Sequence, residues 1–367
     1  MSPFEERLRR LILEHGPISI ARYMTLALAH PASGYYPTRD PIGAAGDFVT
    51  APEVSQLFGE LIGLALVSHW LELGRPNRVA LVELGPGRGT LMADMMRASR
   101  VVPTFAAAAT VHLVETSPVL RERQAAALPG LPVFWHDSMD GLPADRPLLL
   151  VANEFLDALP VRQFVRRAGR WHERLVGVDD EGSFRFIVAR HATPFPEAVA
   201  GITADASEDT VLELGPARLA MAQTIARRIV EQGGLALLID YGSVPGAPMA
   251  DTFRAVRRHA AVDPLRTPGE ADLSAHVDFH AVADAALAAG VRVYGPVSQG
   301  DYLGRLGAGQ RLERLLASAT GAQRASLESG YRRLVAPEAM GDLFKVLVLA
   351  APGDPIPAGL TEDDRRR

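Results

Sequence analysis

At 367 residues with 48% hydrophobic side chains, the chain is long for one compact unit, so one large core with insertions, or two lobes, is expected. A formal charge of −5 leaves no general nucleic-acid footprint, and the absence of cysteine excludes disulfides and thiolate zinc sites. No run of about 18 uncharged apolar residues reads as a membrane span. The start of the chain carries acids and a helical apolar spacing at Phe4, Leu8, Leu11 and Ile12, unlike a signal or transit peptide. With the missing cysteines it points to a cytoplasmic protein.

Residues 1–75 read as a helical N-terminal lobe: a helix to about Glu14, a second through Met24, and a Gly/Pro-rich stretch from Pro31 to Gly46. Gly46-Asp47-Phe48-Val49-Thr50 then reads as a lid loop, an acid and an aromatic beside glycine. Thr50 and Glu53 have capping-box spacing ahead of an apolar stripe at Leu57, Leu61, Leu64 and Trp70, which Gly74 can end. From Val79, within 76–160, strands and helices alternate: strand 79–84, helix 90–99, strand 111–115, a helix from Pro118, a short strand near 133–135 and strand 148–152. Alternation of this kind makes a mostly parallel α/β sheet with right-handed crossovers.

Residues 161–190 break the alternation with three short strands separated by Gly169 and by Asp179 to Gly182, an inserted antiparallel meander. The second half, 210–350, returns to the sheet with helix 217–231 and strand 235–240. Within it, about 251–290 and 300–333 read as helical insertions, and strands 291–297 and 343–349 as a closing antiparallel pair. The tail, 352–367, is Pro/Gly-rich and charged, and is expected to be disordered.

The most informative segment is Arg78 to Thr90. An apolar strand runs through Glu83 into Gly85, Gly87 and Gly89, which let the backbone turn sharply and approach a ligand without Cβ interference. Thr90 is then placed to cap the next helix. The dinucleotide fingerprint G-x-G-x-x-G/A wants a small residue where Thr90 stands, and the pattern here is acid-x-G-x-G-x-G. Glu213-Leu-Gly-Pro-Ala-Arg-Leu219 repeats some of these letters without the second and third glycines, and reads as a helix start.

Taken in order, Tyr23-Met24, Gly34-Tyr35-Tyr36, Gly46 to Glu53, Glu83 to Thr90, Glu115-Thr-Ser-Pro118, Asn153-Glu154-Phe-Leu-Asp157-Ala-Leu-Pro160, Asp240-Tyr-Gly242, Ala275-His-Val-Asp278 and Phe344-Lys345 resemble the MidA-like family, from about residue 17 to about residue 350. The resemblance implies a class I methyltransferase, Rossmann-like fold with a mostly parallel seven-stranded sheet, 76–160 being the half that binds S-adenosyl-L-methionine (SAM). Mitochondrial members are complex I assembly methyltransferases. The implied partner is therefore a protein substrate, an arginine-bearing core subunit of respiratory complex I or its bacterial equivalent.

A sulfonium cofactor needs a carboxylate for its ammonium group, another for the ribose diol, a polar contact for adenine and an apolar wall. Glu83 serves the first, beside Gly85, Pro86, Gly87, Gly89 and Thr90. Glu115, ending the next strand, serves the ribose, or alternatively only the N-terminus of the helix at Pro118. Asp137 and Ser138 suit the adenine edge, or form a plain turn. Asn153 and Gly46 complete the cofactor set. Glu154 and Asp157, three apart on one expected helical turn, form a carboxylate clamp for a guanidinium, or cap a short helix before Pro160. Asp47 is the third catalytic candidate, on the lid. Tyr35 and Tyr36 read as substrate wall or buried packing. His276 and His280 are four apart but lack a third ligand, so no metal is expected. The readings kept beside arginine methylation are small-molecule methylation, an NAD-type oxidoreductase, and a non-catalytic complex I assembly chaperone that binds SAM.

Overall fold

The computed structural model describes residues 2–39, 43, 46–47, 49–194, 205–243 and 251–366. In chain order the strands are β1 (Ile18–Ser19), β2 (Val79–Leu84), β3 (Ala109–Val114), β4 (Val133–His136), β5 (Leu148–Asn153), β6 (Arg162–Arg167), β7 (Arg170–Val178), β8 (Phe184–Ala192) and β9 (Val211–Leu214). They continue with β10 (Gly234–Ser243), β11 (Arg254–Arg257), β12 (Ala260–Val262), β13 (Asp272–Ser274), β14 (Val277–Asp278), β15 (Arg292–Ser298) and β16 (Phe344–Ala350).

Among the described residues the main sheet has eight strands, seven of them in the order β15-β16-β10-β5-β2-β3-β4. β4, β3, β2, β5 and β10 are parallel, while β16 runs antiparallel to both β10 and β15. The eighth, β14, is a two-residue strand added parallel to the end of β10, which the sequence pattern did not show. Every residue of β2 and β5 is buried, because both faces of the sheet are covered. Along β5, Leu149 and Val151 enter the core that holds Trp70 and Met92, while Leu148, Leu150 and Ala152 enter the one that holds Ile225 and Phe279. The chain order reverses between β2 and β5, and the crevice at the carboxyl ends of strands at such a point is where ligands of open α/β sheets bind.

The meander is part of a larger sheet, β1-β7-β6-β9 with β8 on β7. Ile18 pairs with Val176, so the N-terminal segment contributes a strand as well as helices. Leu8, Ile12, Tyr23 and Met24 share a core with Phe253 and Leu273.

Two expectations are corrected. Segment 251–290 is not largely helical: strands β12-β11-β13 form a ribbon joined by loops, and the helix is confined to Phe279–Ala288. Its alanines and leucines mimic a helical stripe, but Ala255 and Leu273 face each other across a strand pair in the N-terminal core. The tail is docked. Leu360 is buried, the Arg366 amide donates to the Val293 carbonyl at 2.9 Å, and Asp364 pairs with Arg305 at 2.8 Å. The physical reason is the edge strand β15, whose free backbone groups the tail covers. Residues 299–335 are helical as expected, in Gln299–Arg305, Ala308–Ala317 and Gly321–Val335. No helix among the described residues is long and apolar enough to cross a membrane.

Candidate active site

Beyond Leu84 the chain turns through Gly85, Gly87 and Gly89 at φ of +62°, +53° and +85°, a region that favours glycine. A Cβ on Gly85 would lie 2.9 Å from the Phe155 ring, and one on Gly89 3.2 Å from the Gln124 backbone. Gly89, not Thr90, is the N-cap of helix Thr90–Ser99. The Thr90 hydroxyl instead donates to Glu53 at 2.5 Å. The Thr50 side chain makes no cap, and the expected single helix breaks at Ser55, which caps Gln56–Glu72. Thr90 and Glu53 therefore brace the glycine loop against the N-terminal segment. A cavity of about 570 Å³ opens over this loop, a size typical of small-molecule sites.

Glu83, the penultimate residue of β2, has 3% of its surface exposed, and its Oε2 has no hydrogen-bond partner. Burial pushes its carboxyl well above the usual range, and nearby Glu115 adds to the shift. A buried polar atom left unpaired costs about 1–3 kcal/mol, so the site fits a ligand that brings a cationic donor, as the ammonium group of SAM does. Glu115 follows β3, accepts from the Ser117 amide at 2.7 Å and from Gln124 at 3.3 Å, and lines the cavity. Helix-end and cavity-wall positions thus coexist in one side chain, and burial raises its pKa too.

Gln124 went unrecognised in the sequence. Fully buried, it donates to the Gly87 carbonyl at 2.8 Å and accepts from Trp135 at 2.9 Å, tying the glycine loop to Glu115 and β4. The signal available was a glutamine four residues from Leu120 and from Leu128, on the apolar face of helix Pro118–Ala127. Asp137 is exposed and paired with Arg121 at 2.6 Å, and Ser138 caps the short turn Met139–Gly141; both reach the cavity wall. Pro86 also lines the cavity, as do Phe155 and Tyr36, which the sequence did not single out for cofactor contact.

Asn153 ends β5 with its Oδ1 buried and unpartnered, while its amide group donates to Glu154 at 3.1 Å. Glu154 adopts φ of +50°, rare for a residue other than glycine, and its Oε1 also accepts from the Ala51 amide at 2.9 Å. Both line the cavity. Burial lifts the Glu154 carboxyl to about 7; the charge of Asp157 adds to the rise and the Ala51 amide opposes it.

The expected clamp does not assemble. Residues 154–157 form an irregular turn instead of a helical one, so their side chains do not share a face. Asp157 is buried outside the cavity wall and accepts from the Tyr241 hydroxyl at 2.5 Å. Asp47 and Gly46 do not line the cavity either. The Asp47 carboxylate accepts from Tyr35 at 2.6 Å and from the Arg258 amide at 2.7 Å, tying the loop to the β11–β12 hairpin. Phe48 of that loop lies outside the described residues. Tyr36 donates to Asp272 at 2.7 Å, and its carbonyl accepts from Ser117 at 2.8 Å. His276 packs edge-on against Tyr241, and His280 meets Arg366. No group of three or more His, Cys, Asp or Glu that could hold a metal occurs among the described residues.

Residues 61–297 match the family model described as "Putative S-adenosyl-L-methionine-dependent methyltransferase". The chain is 40% identical to the Drosophila melanogaster protein named protein arginine methyltransferase NDUFAF7 homolog, mitochondrial, over 94% of this chain and 84% of that one. Against human protein arginine methyltransferase NDUFAF7, mitochondrial, identity is 36%, over 95% and 83%. Among solved structures, a Burkholderia thailandensis protein bound to S-adenosyl-homocysteine superposes with a TM-score of 0.86 at 30% identity, covering 99% of this chain and 95% of that one. These matches set aside the NAD-type oxidoreductase. The glycine loop, the unpaired Glu83 oxygen beneath it and relatives spanning nearly the whole chain agree: the protein belongs to the MidA-like family of class I methyltransferases and uses SAM as its methyl donor.

Proposed function

We propose that the enzyme methylates an arginine side chain of a protein, a core subunit of respiratory complex I or its bacterial equivalent. The observation that carries this reading is Glu154, a carboxyl group at the cavity wall whose pKa stands near 7. The names of the curated relatives support arginine as the acceptor, and the resemblance described above supports complex I. A cytoplasmic location belongs to the same proposal and rests on the absence of cysteine.

Bound SAM supplies an electrophilic methyl group on a sulfonium. Glu83 would take its ammonium, Glu115 its ribose hydroxyls, and the Asp137–Ser138 segment with Phe155 its adenine. The chain's remaining task is to present a nucleophile. A guanidinium has a pKa above about 12 and a delocalised lone pair, so it must be fixed in plane and relieved of a proton. The Glu154 carboxylate would do both: its oxygens would fix the guanidinium plane through N–H groups, and it would receive the proton shed by the attacking nitrogen as that nitrogen takes the methyl group and the methyl–sulfur bond breaks. The unpaired Asn153 Oδ1 offers a second acceptor for guanidinium N–H groups. Mass spectrometry of complex I from wild-type and deletion strains tests the proposal. Methylarginine on a core subunit, present only in the wild type, is expected; identical modification in both strains contradicts it.

A further inference from the structure

We infer that Arg218 and Asp240 are positioning residues for Glu154, holding the backbone of its turn from opposite sides; this rests on the role proposed for Glu154. Asp240, near the end of β10, is 1% exposed, and its Oδ2 accepts from the amides of Leu156 at 2.9 Å and Asp157 at 3.1 Å. Arg218, near the start of helix Pro216–Gln232, is 3% exposed. Its Nε donates to the Leu156 carbonyl at 2.8 Å and its Nη2 to the Asp157 carbonyl at 2.9 Å. The same guanidinium reaches the carbonyls of Ala275 at 2.8 Å and His276 at 2.5 Å. Two consecutive residues thus have both amide and carbonyl bound by the buried side chains of Asp240 and Arg218, and the second loop is locked to the first.

This arrangement explains motifs that the cofactor site leaves unused. Glu213-Leu-Gly-Pro-Ala-Arg218 is the platform of the arginine: a Cβ on Gly215 would lie 2.8 Å from Arg218 Cδ. Asp240 and the Ala275-His276 pair are its partners in the grip. It also accounts for the backbone of Glu154. A non-glycine residue at φ of +50° persists only where its surroundings over-determine it. The Glu154 amide is fixed to the Ile239 carbonyl at 2.9 Å, and the grip fixes the chain two residues on. Displacing a reacting group by about 1 Å can cost about 10²-fold in rate. The planar fork of arginine spreads its donors over three nitrogens and so reaches four carbonyls, whereas lysine carries its three donors on a single nitrogen and cannot span the same set.

A double-mutant cycle on the full-length enzyme tests this, with kcat and KM measured for methyl transfer from labelled SAM to a purified complex I core subunit, and SAM affinity measured by calorimetry. Arg218→Lys should stay folded with SAM affinity and acceptor KM within about twofold, yet lose about tenfold or more in kcat. In a Glu154→Gln background the same change should cost less than about twofold, because the group being positioned is gone. Equal fold-losses in both backgrounds, or wild-type kcat in Arg218→Lys, overturn the inference while the role of Glu154 stands. Undiminished turnover in Glu154→Gln alone overturns the proposed role of Glu154, and the inference with it. If Arg218→Lys does not fold, Asp240→Asn is read by the same criteria from the amide side; loss of fold in both variants makes the pair a folding staple only and overturns the positioning role.

Discussion

A carboxyl group with a pKa near 7 occurs in both protonation states at working pH, as a group that holds a guanidinium and then takes its proton requires. If ionised Glu154 is the active form, kcat rises with pH to a plateau, with a midpoint at or below about 7 because a nearby sulfonium favours the ionised state. A flat profile between pH 5.5 and 8.5 would exclude that assignment. The same group predicts a stability effect of opposite sense. Its folded pKa is raised from 4.5 to about 7, so its contribution is full below the unfolded value and is lost as pH rises through that window. Glu154→Gln should therefore gain in melting temperature relative to wild type between pH 5 and pH 8; an unchanged difference across that range would contradict the raised pKa. Glu115→Ala should weaken SAM binding by about 1–3 kcal/mol and also lower the melting temperature, since Ser117 and Gln124 lose their acceptor. Unchanged affinity would leave Glu115 a helix cap alone. Glu83, Glu115 and Glu154 were legible as acids at strand ends. That Asp157 and Asp47 lie off the cavity wall was not legible, because residue spacing does not reveal which way a side chain turns: a positive φ at Glu154 breaks the helical turn, and Tyr35 with Arg258 draws Asp47 aside.

At the scale of elements, the glycine loop is the sharpest test. Gly87→Val should abolish measurable SAM binding, since a β-branched residue is strained at φ of +53° and its side chain fills space beside the cofactor. Wild-type affinity by calorimetry would remove the loop from the site. The docked tail gives a second prediction. Truncation after Pro357 removes Leu360 and uncovers β15, so it should lower the melting temperature by several degrees and promote aggregation while leaving SAM affinity intact; unchanged stability would mean the tail adds nothing. Alternation of apolar runs and glycines made β2 to β5 and the helices between them readable, because each pattern is local. The β11–β13 ribbon and the docked tail were not readable. Ala255 takes its strand character from Leu273, and Leu360 its burial from a core whose members Tyr294 and Tyr302 lie far back in the chain.

Across the whole molecule, the cavity is shared between the sheet and the N-terminal segment. Hydrogen bonds among the described residues that join them include Thr90 to Glu53, Ser117 to the Tyr36 carbonyl, and the Ala51 amide to Glu154. Each links a residue beyond the carboxyl end of a strand to a segment before residue 55, so displacing that segment would disturb the glycine loop and Glu154 together. SAM at about 100 times its dissociation constant should then stabilise the entire fold by about 2.7 kcal/mol, seen as a single shifted melting transition. The most direct measurement of the central claim is turnover of Glu154→Gln beside wild type, with labelled SAM and an arginine-bearing complex I core subunit as acceptor and SAM affinity measured on the same preparations. The expected result is label on arginine in wild type and a loss of about 10²–10⁴-fold in the variant at equal SAM affinity. Near-equal turnover by the variant, or wild-type label on any residue other than arginine, would contradict it.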